Sequence, residues 1–322
     1  MTPAGDPAGV DVAARGRTQS HRIAELGVLL VVVAWAANFI VVKAANREIP
    51  PIAFAFLRFS TAALMLQVVL RWREGSIRMP IRDAARVAGL GAIGFGIYQI
   101  LWATALQTIP AGDSALLIAT TPVLTALLAS LAGSDTLTRR KVAGALVSFL
   151  GVGIVVAFGP GFGLGTSIVG DLLTLGAAVC WAVYTSWSAP ILVAYSPVRT
   201  TAWAMLGGSL VLAPIGLWQA SSADWGVVST GAWAGLLYSA ILAAGIANVV
   251  VFHGISLLGP TRITAFQFLV PFFAVVLGAM FLAEAIQPAQ LLGGAVIVAG
   301  VSITRALSVG AFAGRIRALI TP

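Results

Sequence analysis

The sequence predicts an all-α polytopic membrane protein, with ten transmembrane helices arranged as two five-helix repeats of inverted topology. Hydrophobic residues fill 59% of the 322 positions and charged residues only 9%, too little charge to cover the surface of a soluble domain. Apolar runs of about 20 residues, enough to cross a hydrocarbon core, follow one another along the chain. One skeleton also occurs twice: Pro122, Asp135, Gly144 and Gly151 recur 149 positions later as Pro271, Glu284, Gly293 and Gly300.

In chain order the apolar runs fall at 25–44, 51–70, 86–107, 111–132, 140–158, 169–189, 198–218, 231–253, 261–282 and 288–307. They are bounded by charge or turn residues and lack the alternation of barrel strands, so each reads as a helix. The first 22 residues have no apolar core of signal-peptide type and run straight into a full-length span, which predicts an N-terminal tail and an uncleaved first helix. Cys180, the single cysteine, excludes an intramolecular disulfide.

The net charge of +8 follows topology rather than a nucleic-acid surface. Arg15, Arg17 and Arg22 precede the first span; Arg71, Arg73, Arg78, Arg82 and Arg86 lie between the second and third; Arg139, Arg140 and Lys141 lie between the fourth and fifth. Arg199 and Arg262 mark later loops of the same side, and Arg305, Arg315 and Arg317 follow the last span, whereas the opposite loops carry only Lys43 and Arg47. Basic loops stay inside, so both termini are expected in the cytoplasm and no nucleic-acid partner is expected.

Five spans per copy is an odd number, so the second copy must enter the bilayer from the other side, the arrangement that builds two related gates around a midplane site. Trp35 and Pro51 recur as Trp181 and Pro197, and Pro110 matches Pro260. The expected division is a cytoplasmic tail over 1–24, a first repeat over 25–158, a Gly-rich connector over 159–168, a second repeat over 169–307 and a cytoplasmic tail over 308–322.

At this point the chain resembles the drug/metabolite transporter superfamily, in its ten-span type with two EamA-like repeats. Trp35, Asn38, Lys43, Pro51 and Leu57-Arg58-Phe59 carry the resemblance in the first half, with Pro122, Asp135 and the Gly144-to-Gly151 stretch. Pro271, Ala283-Glu284, Gly293-Gly294 and Gly300-Val301 carry it in the second. Asp135 stands where that pattern has Glu, and Lys43 and Arg58 align with Ala189 and Ala204. The resemblance, similar in overall look to YddG-type amino acid exporters, implies a basket of spans one to four and six to nine around a central cavity. It also implies alternating access without ATP.

The residues themselves point to the same centre. Trp35 and Trp181 sit mid-span, unlike Trp72, Trp218, Trp225 and Trp233, which sit at span ends as interface residues do. Asn38 and Phe39 share a face with Trp35; Tyr184, Thr185 and Ser188 share one with Trp181. Tyr98 and Trp102 are a turn apart after Gly89, Gly91, Gly94 and Gly96, small residues that let a neighbour approach. Tyr238 and Asn248 lie on similar faces of span eight. Pro122 and Pro271 each free a carbonyl, of Ile118 and Gln267, marking them as hinges, with Thr120, Thr121 and Thr264 nearby as candidate partners. Arg58 lies inside span two, a costly place for a charge, as a partner for a substrate carboxylate or as a structural group.

The expected substrate-binding set is therefore Trp35, Asn38, Arg58, Tyr98, Trp102, Trp181, Tyr184, Tyr238, Asn248 and Gln267, with no catalytic group, cofactor or metal. There is no GxxxxGK[ST] motif, His/Cys cluster or acid pair. Asp113, Asp135, Asp171 and Glu284 fall at span ends, which points to uncoupled facilitation or exchange. The expected function is export of neutral and aromatic amino acids and related small metabolites across an inner membrane. A monomer is the expected state, a dimer the alternative. Nucleotide, purine or sugar export is the alternative transport reading, and a membrane-embedded enzyme the alternative class.

Overall fold

The computed structural model describes residues 7–131, 138–158, 166–188, 190–258, 266–267 and 269–303. Among them the regular structure is helical, with no strand. The helices are α1 (Pro7–Ala45), α2 (Pro51–Glu74), α3 (Ile81–Ala105), α4 (Ala111–Ile118), α5 (Thr121–Leu131) and α6 (Arg139–Phe158) in the first part of the chain. α7 (Thr166–Ser188), the short α8 (Ile191–Ala194), α9 (Pro197–Ser221), α10 (Thr230–Gly254), α11 (Leu269–Leu282) and α12 (Pro288–Ile303) follow.

Seven of these are long and apolar enough to cross a membrane, and α11 and α12 are shorter apolar helices, so the chain is a multi-pass membrane protein. The described part of every predicted apolar run is mainly helix. Two differences stand out. α1 starts at Pro7, well before the expected start of the first span, and the predicted fourth span is two helices, α4 and α5. Asp135, Ala189, Pro260, Arg262, Thr264, most of the connector and the C-terminal tail lie outside the described residues.

Local chemistry sets the helix ends. Pro51 opens α2, where its missing N–H costs nothing, and Gly75 closes it at φ 70°. Ser196 Oγ accepts the Arg199 N–H at the start of α9, and Ser229 Oγ accepts the Ala232 N–H at the start of α10.

Small residues then let backbones touch. A Cβ on Gly91 would overlap the Ala204 carbonyl, and one on Gly207 the Ala88 carbonyl, so α3 and α9 pack in direct backbone contact. In the same way Gly151 of α6 meets Gly293 of α12, Gly300 meets Gly144, and Ser148 Oγ donates to the Ile297 carbonyl at 3.3 Å. Low numbers of one helix meet high numbers of the other, so α6 and α12 run antiparallel.

Polar ties gather the connections into two ends. At one end Arg199 reaches the Ser76 and Arg78 carbonyls and lies 3.0 Å from Glu74, while Tyr195 donates to Asp83. At the other, Gln219 Oε1 accepts from Ile52 and Ala53 N–H, Glu48 accepts from Ser229, and Lys43 pairs with Glu284. The α2–α3 and α7–α9 connections therefore share one end. The α1–α2, α9–α10 and α11–α12 connections share the other.

Candidate functional site

The break between α4 and α5 follows from Pro122. Without an N–H, Pro122 leaves the Ile118 carbonyl unbonded, and the Thr121 hydroxyl takes it at 2.6 Å. The Thr120 hydroxyl bonds the Leu117 carbonyl in the same way, at 2.7 Å. Thr121 thus does what the sequence suggested, whereas Thr120 goes to a carbonyl that already accepts its own N–H at 3.1 Å. At Pro271 the solution differs: the Gln267 carbonyl accepts the Val270 N–H at 3.0 Å in a tightened turn before α11.

α3 and α10 are each interrupted by a π-helical segment, Ala92–Ile97 and Tyr238–Ile246. These were not legible beforehand, although the glycines around Gly94 and Gly96 were. Wide turns of this kind loosen the carbonyl ladder and collect at functional sites. Here the Ala243 carbonyl turns to the Trp35 indole N–H at 2.9 Å, and the Tyr238 hydroxyl bonds the Ala34 carbonyl across the same contact.

Between these irregular places lies a cavity of about 140 Å³. Its walls come from α1, α2, α3, α4, α5, α7, α10 and α11. Rings dominate: Trp181 lies 5.8 Å from both Phe95 and Tyr98, Tyr98 stacks on Trp102 at 6.2 Å, and Phe39 meets Trp102 edge-on at 5.1 Å. Polar groups are few and placed among them.

Of the expected residues, Trp35, Asn38, Arg58, Tyr98, Trp102, Trp181, Asn248, Gln267, Pro122 and Pro271 line this one cavity. Tyr184 and Tyr238 do not. Tyr184 is fully buried, with its ring against Gly94 and 4.9 Å from Phe95, so it supports the wall from behind. Of the polar face expected with Trp181, the Thr185 hydroxyl turns back to the Trp181 carbonyl.

Phe95 and Gln99 were missed. Gln99 had a signal, because Asn248 stands 149 positions after it, the offset of Pro122 and Pro271, and both amides face the cavity. Phe95 had none beyond its neighbouring glycines.

Arg58 is 5% exposed. Its guanidinium sits 4.4 Å from the Phe59 ring centre and 6.0 Å from that of Trp102, and Nε and Nη1 meet no hydrogen-bond partner among the described residues. Lys43, by contrast, is committed: Nζ lies 2.8 Å from Glu284 and 2.6 Å from the Ile109 carbonyl. Asp113 and Asp171 lie near helix starts as expected, yet both are buried, and Gln290 donates to Asp113 at 2.7 Å.

The model of the EamA-like transporter family matches this chain twice, over residues 22–157 and 168–306. The chain belongs to the EamA-like transporter family. The two matches agree with the duplication read from the prolines and glycines. An uncharacterized transporter of Archaeoglobus fulgidus is 29% identical over 278 residues, covering 86% of this chain and 95% of its own. A probable terminal-alkyne amino-acid exporter of Streptantibioticus cattleyicolor is 29% identical over 282 residues, 88% of this chain and 93% of its own. A solved crystal structure shares the fold with a TM-score of 0.64 at 20% identity, over 89% of this chain and 97% of that one. This EamA-like chain is thus a transporter rather than an enzyme, with a small-molecule substrate and membrane lipid as its partners.

Proposed function

We propose that this EamA-like protein is a ten-span inner-membrane carrier that exports neutral and aromatic amino acids and related small metabolites by alternating access. The observation that carries the reading is the cavity. Trp35 and Trp181, Gln99 and Asn248, and Pro122 and Pro271 occupy corresponding places in the two matched halves, and all six line it. Aromatic rings offer faces for an apolar side chain and, through cation–π attraction of about 0.5–2 kcal/mol, for an ammonium. Arg58 and the amides of Asn38, Gln99, Asn248 and Gln267 hold the polar atoms. The amino-acid exporter among the relatives supports the substrate class.

Inverted repeats are the arrangement we favour. The antiparallel contact of α6 with α12 pairs Gly144 with Gly300 and Gly151 with Gly293, which exchanges corresponding glycines as a two-fold axis in the membrane plane would. The α1–α2 connection and its counterpart between α7 and α9 also lie at opposite ends. Basic loops then place both termini in the cytoplasm. The segments that break near Pro122 and Pro271 would rock to open each end in turn.

No Asp or Glu lines the cavity among the described residues, which supports uncoupled facilitation or exchange. Purified protein in liposomes preloaded with labelled phenylalanine or leucine tests the proposal. Downhill efflux that ignores a pH gradient is expected. No flux of any amino acid would overturn the function, and gradient dependence would overturn the uncoupled mechanism and direct attention to Asp113 and Asp171.

A further inference from the structure

The cavity is one-signed. Among the described residues Arg58 is its single formally charged lining residue, and they offer it no carboxylate. A cation stripped of water and left with ring faces alone is poorly compensated, because cation–π attraction is small beside the cost of desolvating an ion. The second half does not repeat the charge: Ala204, its counterpart at the Trp35–Trp181 offset, is buried against Gly91. Arg58 therefore gives the cavity a polarity that the duplication alone would cancel.

The neighbouring polar groups point the same way. The Asn38 oxygen is taken by the Ser239 hydroxyl at 2.5 Å, which leaves its amide N–H groups to donate. The Trp35 and Trp102 indole N–H groups are already bonded, to the Ala243 carbonyl and to Ser114 Oγ, so those rings present apolar faces. An anion thus meets a charged guanidinium, whose Nε and Nη1 have no hydrogen-bond partner among the described residues, and an amide donor. A cation meets ring faces and neutral oxygens, those of the amides and of Tyr98 and Thr121 among them, with Arg58 repelling it.

We infer that the carboxylate is the group this cavity requires and that the α-amino group is dispensable, so that aromatic and other amphipathic monocarboxylates bind as well as amino acids do. The inference rests on the transport reading above for its site and narrows the chemistry of its ligand.

Calorimetric titration of the purified full-length protein in detergent with L-phenylalanine, 3-phenylpropanoate and L-phenylalaninamide tests it. The acid lacking the amine is expected to bind within about tenfold of phenylalanine. The amide, which keeps the amine and lacks the carboxylate, is expected to bind at least about tenfold more weakly, the scale of one charge-assisted hydrogen bond. Arg58→Gln should weaken both carboxylates by about tenfold or more and should leave the amide binding no more weakly than before, because a repelling charge is removed, and Arg58→Lys should recover part of the loss. Should Arg58→Gln fail to fold, the wild-type ranking decides. Phenylalaninamide equalling 3-phenylpropanoate, phenylalanine binding without its deaminated analogue, or no binding of any of the three would overturn the inference. Phenylpropanoate binding with no amino-acid flux in liposomes would instead overturn the transport proposal alone.

Discussion

Lys43 at the end of α1 and Glu284 after α11 form an ion pair at 2.8 Å, and together they grip the turn between α3 and α4: Lys43 donates to the Ile109 carbonyl, and both Glu284 oxygens accept the Ala111 N–H at 3.1 Å. Three helix ends are closed on one another by two side chains. Under alternating access, this end opens only when the grip is released.

The two partners are unequal. Lys43→Met removes the pair and the bond to the Ile109 carbonyl but leaves the Ala111 N–H bonded, whereas Glu284→Ala leaves Lys43 bonded to that carbonyl without its counter-charge and strips the partner from the N–H that opens α4. Thermal unfolding in detergent should rank Glu284→Ala below Lys43→Met and both below wild type, with costs of about 1–3 kcal/mol for each charged hydrogen bond lost. Equal melting temperatures for all three proteins would show that the grip does not hold the fold.

At the α4–α5 break, Thr121 and Pro122 separate stability from motion. Thr121→Val leaves the Ile118 carbonyl unbonded and should destabilise the protein by about 1–3 kcal/mol. Pro122→Ala returns an N–H to that carbonyl, so the melting temperature should hold or rise while flux in liposomes falls. Flux unchanged in Pro122→Ala would remove the break from the transport cycle.

Acid stability should report the Glu48–Ser229 contact. Hydrogen bonds from the Ser229 backbone N–H at 2.7 Å and its hydroxyl at 3.0 Å hold the Glu48 carboxyl below its ordinary value. A carboxyl lowered in the folded state contributes stability above its unfolded pKa of about 4.3 and loses it as pH falls. The melting difference between wild type and Glu48→Gln should thus be present at neutral pH and shrink as pH drops through that range. A gap independent of pH would contradict the assignment.

Trp181 is half-buried and touches Phe95, Tyr98 and Tyr184. Ring contacts of this kind contribute about 0.5–1.5 kcal/mol each, so Trp181→Ala should lower phenylalanine flux several-fold while folded protein survives gel filtration. Unchanged flux would return Trp181 to packing.

The spans were legible because membrane crossing fixes both composition and length, and Pro122, Pro271, Gly151 and Gly300 were legible because the chain states them twice. Most of the cavity wall followed from mid-span Trp and Asn. What stayed hidden depended on backbone state. The π segments that carry Phe95 and Ala243 to the wall have no residue signature of their own. The sequence period that placed Tyr184 beside Trp181 could not say that its ring would fill the space over Gly94. Asp113 and Asp171 read as span-end residues by position, and only the packing of α4, α7 and α12 buries them.

The aromatic cavity is the path proposed for the substrate. In a Cys180→Ser background, a single cysteine at Ala119, beside Pro122 on the cavity wall, can be probed in liposomes with a membrane-impermeant thiol reagent added to either side. Labelling from both sides, slowed by phenylalanine, is expected. No labelling from either side, or labelling that phenylalanine leaves unchanged, would contradict it.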